Sequence, residues 1–460
     1  MGTPINVERI EELIKVEEEK LNAATQKSKE FYEAAQKHLS GGVASSYQLH
    51  DPWPIYVEKG EGPRIWDVDG NEYYDFHNGF GSMVQGHAHP AIGKAVTERY
   101  PMGTHFAAPT EDAIVVGNEL ARRWGLPKWR YTNSGSESTM DAIRIARAHT
   151  GRDTVMKIFG SYHGHHDTVM VDIGWIPEQE IGPRDNYKSI PYGAGVPQAT
   201  VDMTVAVPFN DADVMEKRIE ALKAEGRLPA CVIMEAAMMN LGVVLPEPGY
   251  LERVREITKK HGIVLIFDEV KTGLCIAPGG ATEKFGVKPD MVTLAKALGG
   301  GLPAGAIGMT EEVAEVVENG SVYQVGTYNG NPLTLAAARA SLLDVLTDDA
   351  YAHLAHLNDR ILAGCNDVIK RYDLIAYTVG IGSKGCVVFS DNKVVDYESY
   401  MENARTGGPL ADLAWVWNMN NGIFMTPGRE EEWTLSVTHD DAAIDAYVEA
   451  FDSLAAALRA

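Results

Sequence analysis

From about residue 110 to residue 310, short apolar runs alternate with segments of helical period, and this alternation constrains the fold more than any other feature. Thr154 to Phe159, Cys231 to Met234, Ile263 to Phe267 and Met291 to Leu294 are the clearest strands. Leu251, Val254 and Ile257 mark the apolar face of one intervening helix. Runs this apolar need cover on both faces, so the pattern predicts βαβ units and a mainly parallel central sheet in an α/β fold. Sheets of this kind bind ligands beyond the carboxyl ends of their strands.

The flanks read differently. Residues 5 to 39 are charged and helix-favouring, with Ile10, Leu13 and Ile14 on one face, and the pattern stops at Gly41 and Gly42. Arg64 to Val68 and Glu72 to Phe76 alternate about the turn signal Asp69-Gly70-Asn71, which predicts a β-hairpin. After residue 335 the chain turns helical, then yields strands near Gly385 to Phe389 and Trp433 to Val437. The expected organisation is an arm and hairpin over 1–75 contributing to a small α+β domain, a large domain over 76–335, and the rest of the small domain over 336–460.

Bulk properties exclude some functions. A formal charge of -23 over 460 residues, with no block of Lys and Arg, repels nucleic acid and anionic membrane surfaces and points to small-molecule partners. Cys231, Cys275, Cys365 and Cys386 have neither CxxC pairing nor metal-ligand spacing, so reduced thiols and a cytoplasmic location are expected. The first twenty residues lack the apolar core of a signal peptide, and no later stretch is apolar enough to span a membrane.

Ile263 to Phe267 ends in Asp268-Glu269, two carboxylates at a strand end where a ligand is expected. An apolar strand ending in acids also suits Mg²⁺ binding in a nucleotide hydrolase, but GxxxxGK[ST] is absent and Gly380-Ile381-Gly382-Ser383-Lys384 has the wrong spacing. A second use for Asp268 is pairing with a protonated pyridine nitrogen, which keeps pyridoxal 5'-phosphate (PLP) an effective electron sink. Lys296 follows at the end of Met291 to Ala295 and opens into Gly299-Gly300-Gly301. Desolvation there favours the free amine, which can attack an aldehyde and later act as a base. A single lysine at a strand end more commonly snorkels to water, and the partner motifs decide between the two.

Asn133-Ser134-Gly135-Ser136-Glu137-Ser138 opens a helix running to about His149, with Ser138 and Asp141 at capping-box spacing and Gly151 as the stop. Gly135 permits close backbone approach, and the Ser136 hydroxyl and neighbouring N–H groups can bind phosphate, although an ordinary N-cap is the commoner meaning of such a segment. In Gly160-Ser161-Tyr162-His163-Gly164-His165-His166, three histidines invite a metal reading, but no second ligand cluster accompanies them. The expectation is no metal, with Tyr162 presented to a ring and the histidines serving as turn residues.

Together these segments resemble class III (subgroup II) PLP-dependent aminotransferases, within them the glutamate-1-semialdehyde aminomutase-like branch. The resemblance spans nearly the whole chain through Gly86-His87-Ala88-His89-Pro90, Asn133 to Glu137, Tyr162-His163-Gly164, Asp268-Glu269-Val270, Lys296 and Gly326-Thr327. It implies a fold-type I homodimer with active sites at the subunit interface. Lys296 would form the internal aldimine and Asp268 would hold the ring nitrogen. Tyr162 and Val270 would sandwich the ring, while Ser134, Gly135 and Ser136 would hold the phosphate with Thr327 from the other subunit. Glu235 matches a family glutamate near Asp268, although Ala236 stands where the family usually has proline.

The implied reaction is amino-group transfer from an amine or non-α amino compound to a keto acid or aldehyde acceptor. An aminomutase is the nearest rival, and a PLP-fold protein that has lost catalysis and only binds is a further one. The resemblance places a carboxylate-binding arginine shortly after Gly41-Gly42-Val43, where this chain has Gln48. A neutral amide offers no bidentate charged pairing, which weighs against the aminomutase. Arg429, among Glu430, Glu431 and Glu432, either binds an acceptor carboxylate or pairs with its neighbours. Tyr47, Trp53 and Tyr328 are candidates for an apolar substrate pocket or for ordinary core packing.

Overall fold

The computed structural model describes residues 6–460 apart from 175, 177 and 427–431. The predicted arm forms two helices, Val7–Ala24 and Gln26–Ala35, broken at Thr25. Ile10, Leu13 and Leu21 are buried on the first, with Glu17, whose carboxylate accepts from Lys20 and Asn420. The hairpin joins three strands, β1 (Val57–Glu61), β2 (Arg64–Asp67) and β3 (Glu72–Asp75). Its turn residue Asp69 accepts from the backbone N–H groups of Lys27 and Ser28 and from the Ser28 hydroxyl, so the turn anchors the second arm helix.

Seven strands form the central sheet: β4 (Lys128–Thr132), β5 (Val155–Ile158), β6 (Thr204–Val207), β7 (Cys231–Met234), β8 (Val264–Asp268), β9 (Met291–Leu294) and β10 (Gly305–Met309). Their spatial order is β4-β10-β9-β8-β7-β5-β6, and β10 alone runs against its neighbours. Every residue of β5 to β10 is buried, which is why these segments read as continuous apolar runs rather than as alternating ones.

The chain ends meet away from this sheet. Beyond the long helices Asp348–Arg371 and Tyr397–Asn420, β13 (Ile423–Phe424) pairs in parallel with β3. A three-stranded sheet orders β11 (Tyr377–Ile381), β12 (Lys384–Val388) and β14 (Trp433–Thr434). Among the described residues no helix is long and apolar enough to cross a membrane, and all four cysteines are buried free thiols.

Candidate active site

The carboxyl ends of β7, β8 and β9 carry Glu235, Asp268 and Lys296 to one cavity of about 390 Å³. Ser134, Gly135, Ser136, Tyr162 and Val270 line the same cavity, as do Asn133, His163, Asn240 and Lys271. Adjacent parallel strands place their ends side by side, so residues far apart in the chain converge without a long loop.

Asp268 and Glu269 have opposite fates. One Asp268 oxygen accepts from the Val270 N–H (3.0 Å) and the Thr293 hydroxyl (3.1 Å), and the other lies 2.7 Å from His163 Nδ1. With the carboxylate oxygen as acceptor, the imidazole donates from Nδ1. Glu269 turns away from the cavity and accepts from Trp124 Nε1, the N–H groups of Ala281 and Thr282, and the Thr282 hydroxyl. A Cβ on Gly280, whose φ is +60°, would lie 1.8 Å from Glu269 Oε2, so only glycine admits this carboxylate.

His163 was expected to be a turn residue, and the structure corrects this: it is buried directly against Asp268. Burial lowers its pKa from the ordinary value despite the adjacent carboxylate. The signal was available in sequence, since an apolar strand followed by Gly-Ser-Tyr-His-Gly brings the loop back over the strand end. Lys157 holds this loop from below, donating to the carbonyls of Ser161 (2.8 Å) and Val171 (2.6 Å) while fully buried. Gly164, at φ +104°, lets the loop approach the helix start, because a Cβ there would lie 2.6 Å from Ser136 Oγ. Among the described residues no group of three or more His, Cys, Asp or Glu side chains is arranged to hold a metal.

The helix Gly135–Thr150 is capped by Ser134, whose side chain accepts from the Glu137 N–H, and it ends at Gly151 in the left-handed region. The predicted capping box at Ser138 and Asp141 is therefore misplaced by one turn; Ser138 is buried, and its hydroxyl reaches the carbonyls of Ser134 and Leu294. The first-turn N–H groups of such a helix lack intrahelical partners and attract an anion.

Lys296 begins a short 3₁₀ turn with φ +43°, an unusual conformation for a residue with a side chain. Burial, reinforced by Lys271 and Lys384 and opposed by Asp268 and Glu432, lowers its amine to about 8. Burial and the Asp268 charge push Glu235 up to about 8, and its carboxyl group accepts from the Met239 N–H and Asn240 Nδ2, both at 3.2 Å. The loop beyond Ala236 is closed by reciprocal backbone bonds between Met238 and Val244.

Other predicted site residues lie elsewhere. Tyr47, Gln48 and Trp53 line a second cavity of about 960 Å³, with Tyr56, Phe80, Trp415 and Met425. Gln48 Oε1 accepts from the Ala44 and Ser45 N–H groups (3.1 Å each), so its amide stabilises its own turn. Thr327 is exposed and outside the Lys296 cavity. Tyr328 is 60% exposed and packs on His105. Arg429 lies outside the described residues.

An amine, a carboxylate on a buried strand end and an anion-attracting helix start, gathered in one cavity, have the donors and acceptors that a phosphorylated pyridine aldehyde requires. The family model "Aminotransferase class-III" matches residues 46–413, and the chain belongs to that family. Within it, the chain falls in the glutamate-1-semialdehyde aminomutase-like branch. It is 39% identical to the glutamate-1-semialdehyde 2,1-aminomutase of Methanocaldococcus jannaschii, over 93% of this chain and 97% of that protein. Among solved structures it is similar to an omega-transaminase from Sphaerobacter thermophilus (TM-score 0.89, 33% identity, covering 94% of this chain and 98% of that one). A glutamate-1-semialdehyde aminomutase from Pseudomonas aeruginosa in complex with PMP matches at TM-score 0.88 and 28% identity, covering 99% of this chain and 100% of that one. The fold is that of the fold-type I PLP enzymes, and the cofactor is PLP.

Proposed function

We propose that the chain catalyses PLP-dependent amino-group transfer, with Lys296 as the catalytic amine and Asp268 holding the cofactor's ring nitrogen. The observation that carries this reading is the convergence of Asp268 and Lys296 from adjacent strands β8 and β9 into one cavity. When bound, PLP supplies an electron sink for the carbon bearing the substrate's amine. Asp268, fixed by His163, Thr293 and the Val270 N–H, keeps the ring nitrogen protonated. Ser134, Gly135 and Ser136 would hold the phosphate, and Tyr162 and Val270, which line the same cavity, would contact the ring. Lys296, neutral in a large fraction near pH 8, takes a proton from that carbon and returns it.

Transfer within one molecule and transfer between two use the same residues. The names of the curated relatives favour the first, an aminomutase-type reaction, and it stands as the leading reading. Gln48, the residue that weighs against an aminomutase, lies in the other cavity with its amide oxygen committed to its own turn. Transfer from an amine donor to a keto acid or aldehyde acceptor is the second reading. It is favoured by the likeness to an omega-transaminase.

The test is an absorbance spectrum of purified enzyme, with Lys296→Ala alongside, followed by single candidate substrates. The yellow band of bound PLP in the wild type and its loss in the variant are expected. An aminomutase turns over many equivalents of one amino compound unaided, whereas a transaminase stops after one equivalent until an acceptor is added. A protein that stays colourless with added PLP would overturn both readings.

A homodimer completes this reading. Tyr100, Met102, Tyr323, Val325 and Tyr328 are each at least 60% exposed, an apolar surface suited to a second copy, and Thr327 lies among the last three. Light scattering that returns one chain mass, about 50 kDa, would refute the dimer.

A further inference from the structure

One wall of the Lys296 cavity carries Lys271, three residues beyond Asp268. Its ammonium donates to the Met239 carbonyl (2.6 Å) and lies 3.3 Å from Glu432 Oε2. Glu432 Oε1 accepts from Lys384 Nζ at 2.8 Å, and Lys384 also donates to the Thr434 hydroxyl at 2.8 Å. Side-chain exposure is 5% for Lys271, 1% for Glu432 and 0% for Lys384. Lys384 is the lysine of the failed nucleotide motif, on β12, and Glu432 immediately precedes β14. Two lysines and a glutamate from the β8 turn and the C-terminal sheet thus form one buried group, and its member Lys271 lines the cavity of the catalytic amine.

Burying charges costs several kcal/mol for each ion unless they are well paired, and such a group often adds nothing to stability over apolar residues of the same size. A tie between the C-terminal sheet and the large sheet does not need a lysine that also faces the catalytic cavity. In a medium of low dielectric, charges lining the same enclosure as an amine act strongly on it.

We propose that Lys271, Glu432 and Lys384 are positioning residues that set the protonation of Lys296 when it is joined to PLP, acting through space without touching substrate. This rests on the reading of Lys296 as the cofactor lysine. Asp268, Glu235 and Lys271 line the cavity with Lys296, and Lys384, Glu432 and Cys275 interact with it electrostatically from beyond that lining. Lys271 and Lys384 disfavour a proton on the Lys296 nitrogen, and Glu432 and Asp268 favour it. Glu432 itself is pushed up by burial but held below the ordinary carboxylate range by the two lysines, so it stays charged through the working range.

The test follows the pH at which bound PLP changes from its yellow to its near-ultraviolet band in wild type, Lys271→Met, Lys384→Met and Glu432→Gln. Removing either positive charge raises the midpoint by about half a pH unit or more, and removing the negative charge lowers it by a similar amount. Opposite signs separate this role from a structural one, since general loosening of the cavity would move all three variants the same way. Lys271→Arg keeps the charge and leaves the midpoint within about 0.3 of wild type. Where a single variant does not fold, Lys271→Gln/Glu432→Gln removes one charge of each sign and is expected to titrate near wild type; a shift above about one unit there assigns the effect to structure. Identical midpoints, or shifts of one sign, would overturn the inference while leaving the cofactor assignment intact. A wild type without a yellow band would overturn that assignment instead.

Discussion

The two cavities differ in construction. The Lys296 cavity sits on the ends of buried strands, and its polar groups are committed to named partners, as Asp268 is to His163, Thr293 and the Val270 N–H. The cavity around Tyr47, Gln48 and Trp53 is larger and mostly apolar or aromatic, assembled from the two ends of the chain, residues 14 to 57 and 412 to 426, with His77 and Phe80 between. Phe80 marks the boundary: it packs on Tyr47 on one side and lies 5.7 Å from Lys271 Nζ on the other. A rigid sheet fixes chemistry, whereas a seam between chain ends can be reshaped without disturbing it.

Variants are expected to sort by cavity. Lys296→Ala is expected to lower turnover by at least ~10³-fold, measured as kcat on the substrate the screen identifies. His163→Ala, which unfastens Asp268, should lower kcat by roughly a hundredfold. Gly280→Ala forces Glu269 off the Ala281–Thr282 turn and should destabilise the fold by about 3 kcal/mol in urea unfolding, with kcat of the folded fraction nearly unchanged.

The remaining two effects are smaller. Glu235 is held protonated in the fold to about pH 8, against an ordinary value of 4.5. A raised carboxyl pKa gives stability that is fully present below the unfolded value and is lost as pH rises toward the folded value. The thermal midpoint of PLP-free wild type relative to Glu235→Gln should therefore decline between about pH 4.5 and pH 8, whatever the buried histidines contribute to both proteins alike. Gln48→Ala, on the other side of Phe80, should cost about 1 kcal/mol through its turn and leave PLP affinity within twofold. A large loss of PLP affinity in that variant would merge the two cavities into one functional unit.

How much of this was legible in the sequence follows the same division. Strands β7, β8 and β9 were legible because burial on both faces leaves an uninterrupted apolar run, and Asp268 and Lys296 because each ends such a run. The misplaced capping box shows the limit of local spacing. Ser134-Gly135-Ser136-Glu137 and Ser138 to Asp141 both satisfy the pattern, and burial of Ser138 against Leu294 decides between them. The Lys271–Glu432–Lys384 group was not legible at all, since its members lie up to 161 residues apart and nothing local marks them as partners. Gln48 was legible as a departure from a pattern but not as the cap of its own turn, because that depends on a side-chain conformation.

The backbone of Lys296 carries one more consequence. A residue with a Cβ held at φ +43° costs the folded state on the order of 1–2 kcal/mol relative to glycine. A chain selected for stability alone would place glycine at 296, as it does at the neighbouring Gly300 and Gly301, both at positive φ. Retaining lysine there trades fold stability for an amine aimed into the cavity, so any screen of this protein for heat resistance alone will drift toward losing its catalytic residue.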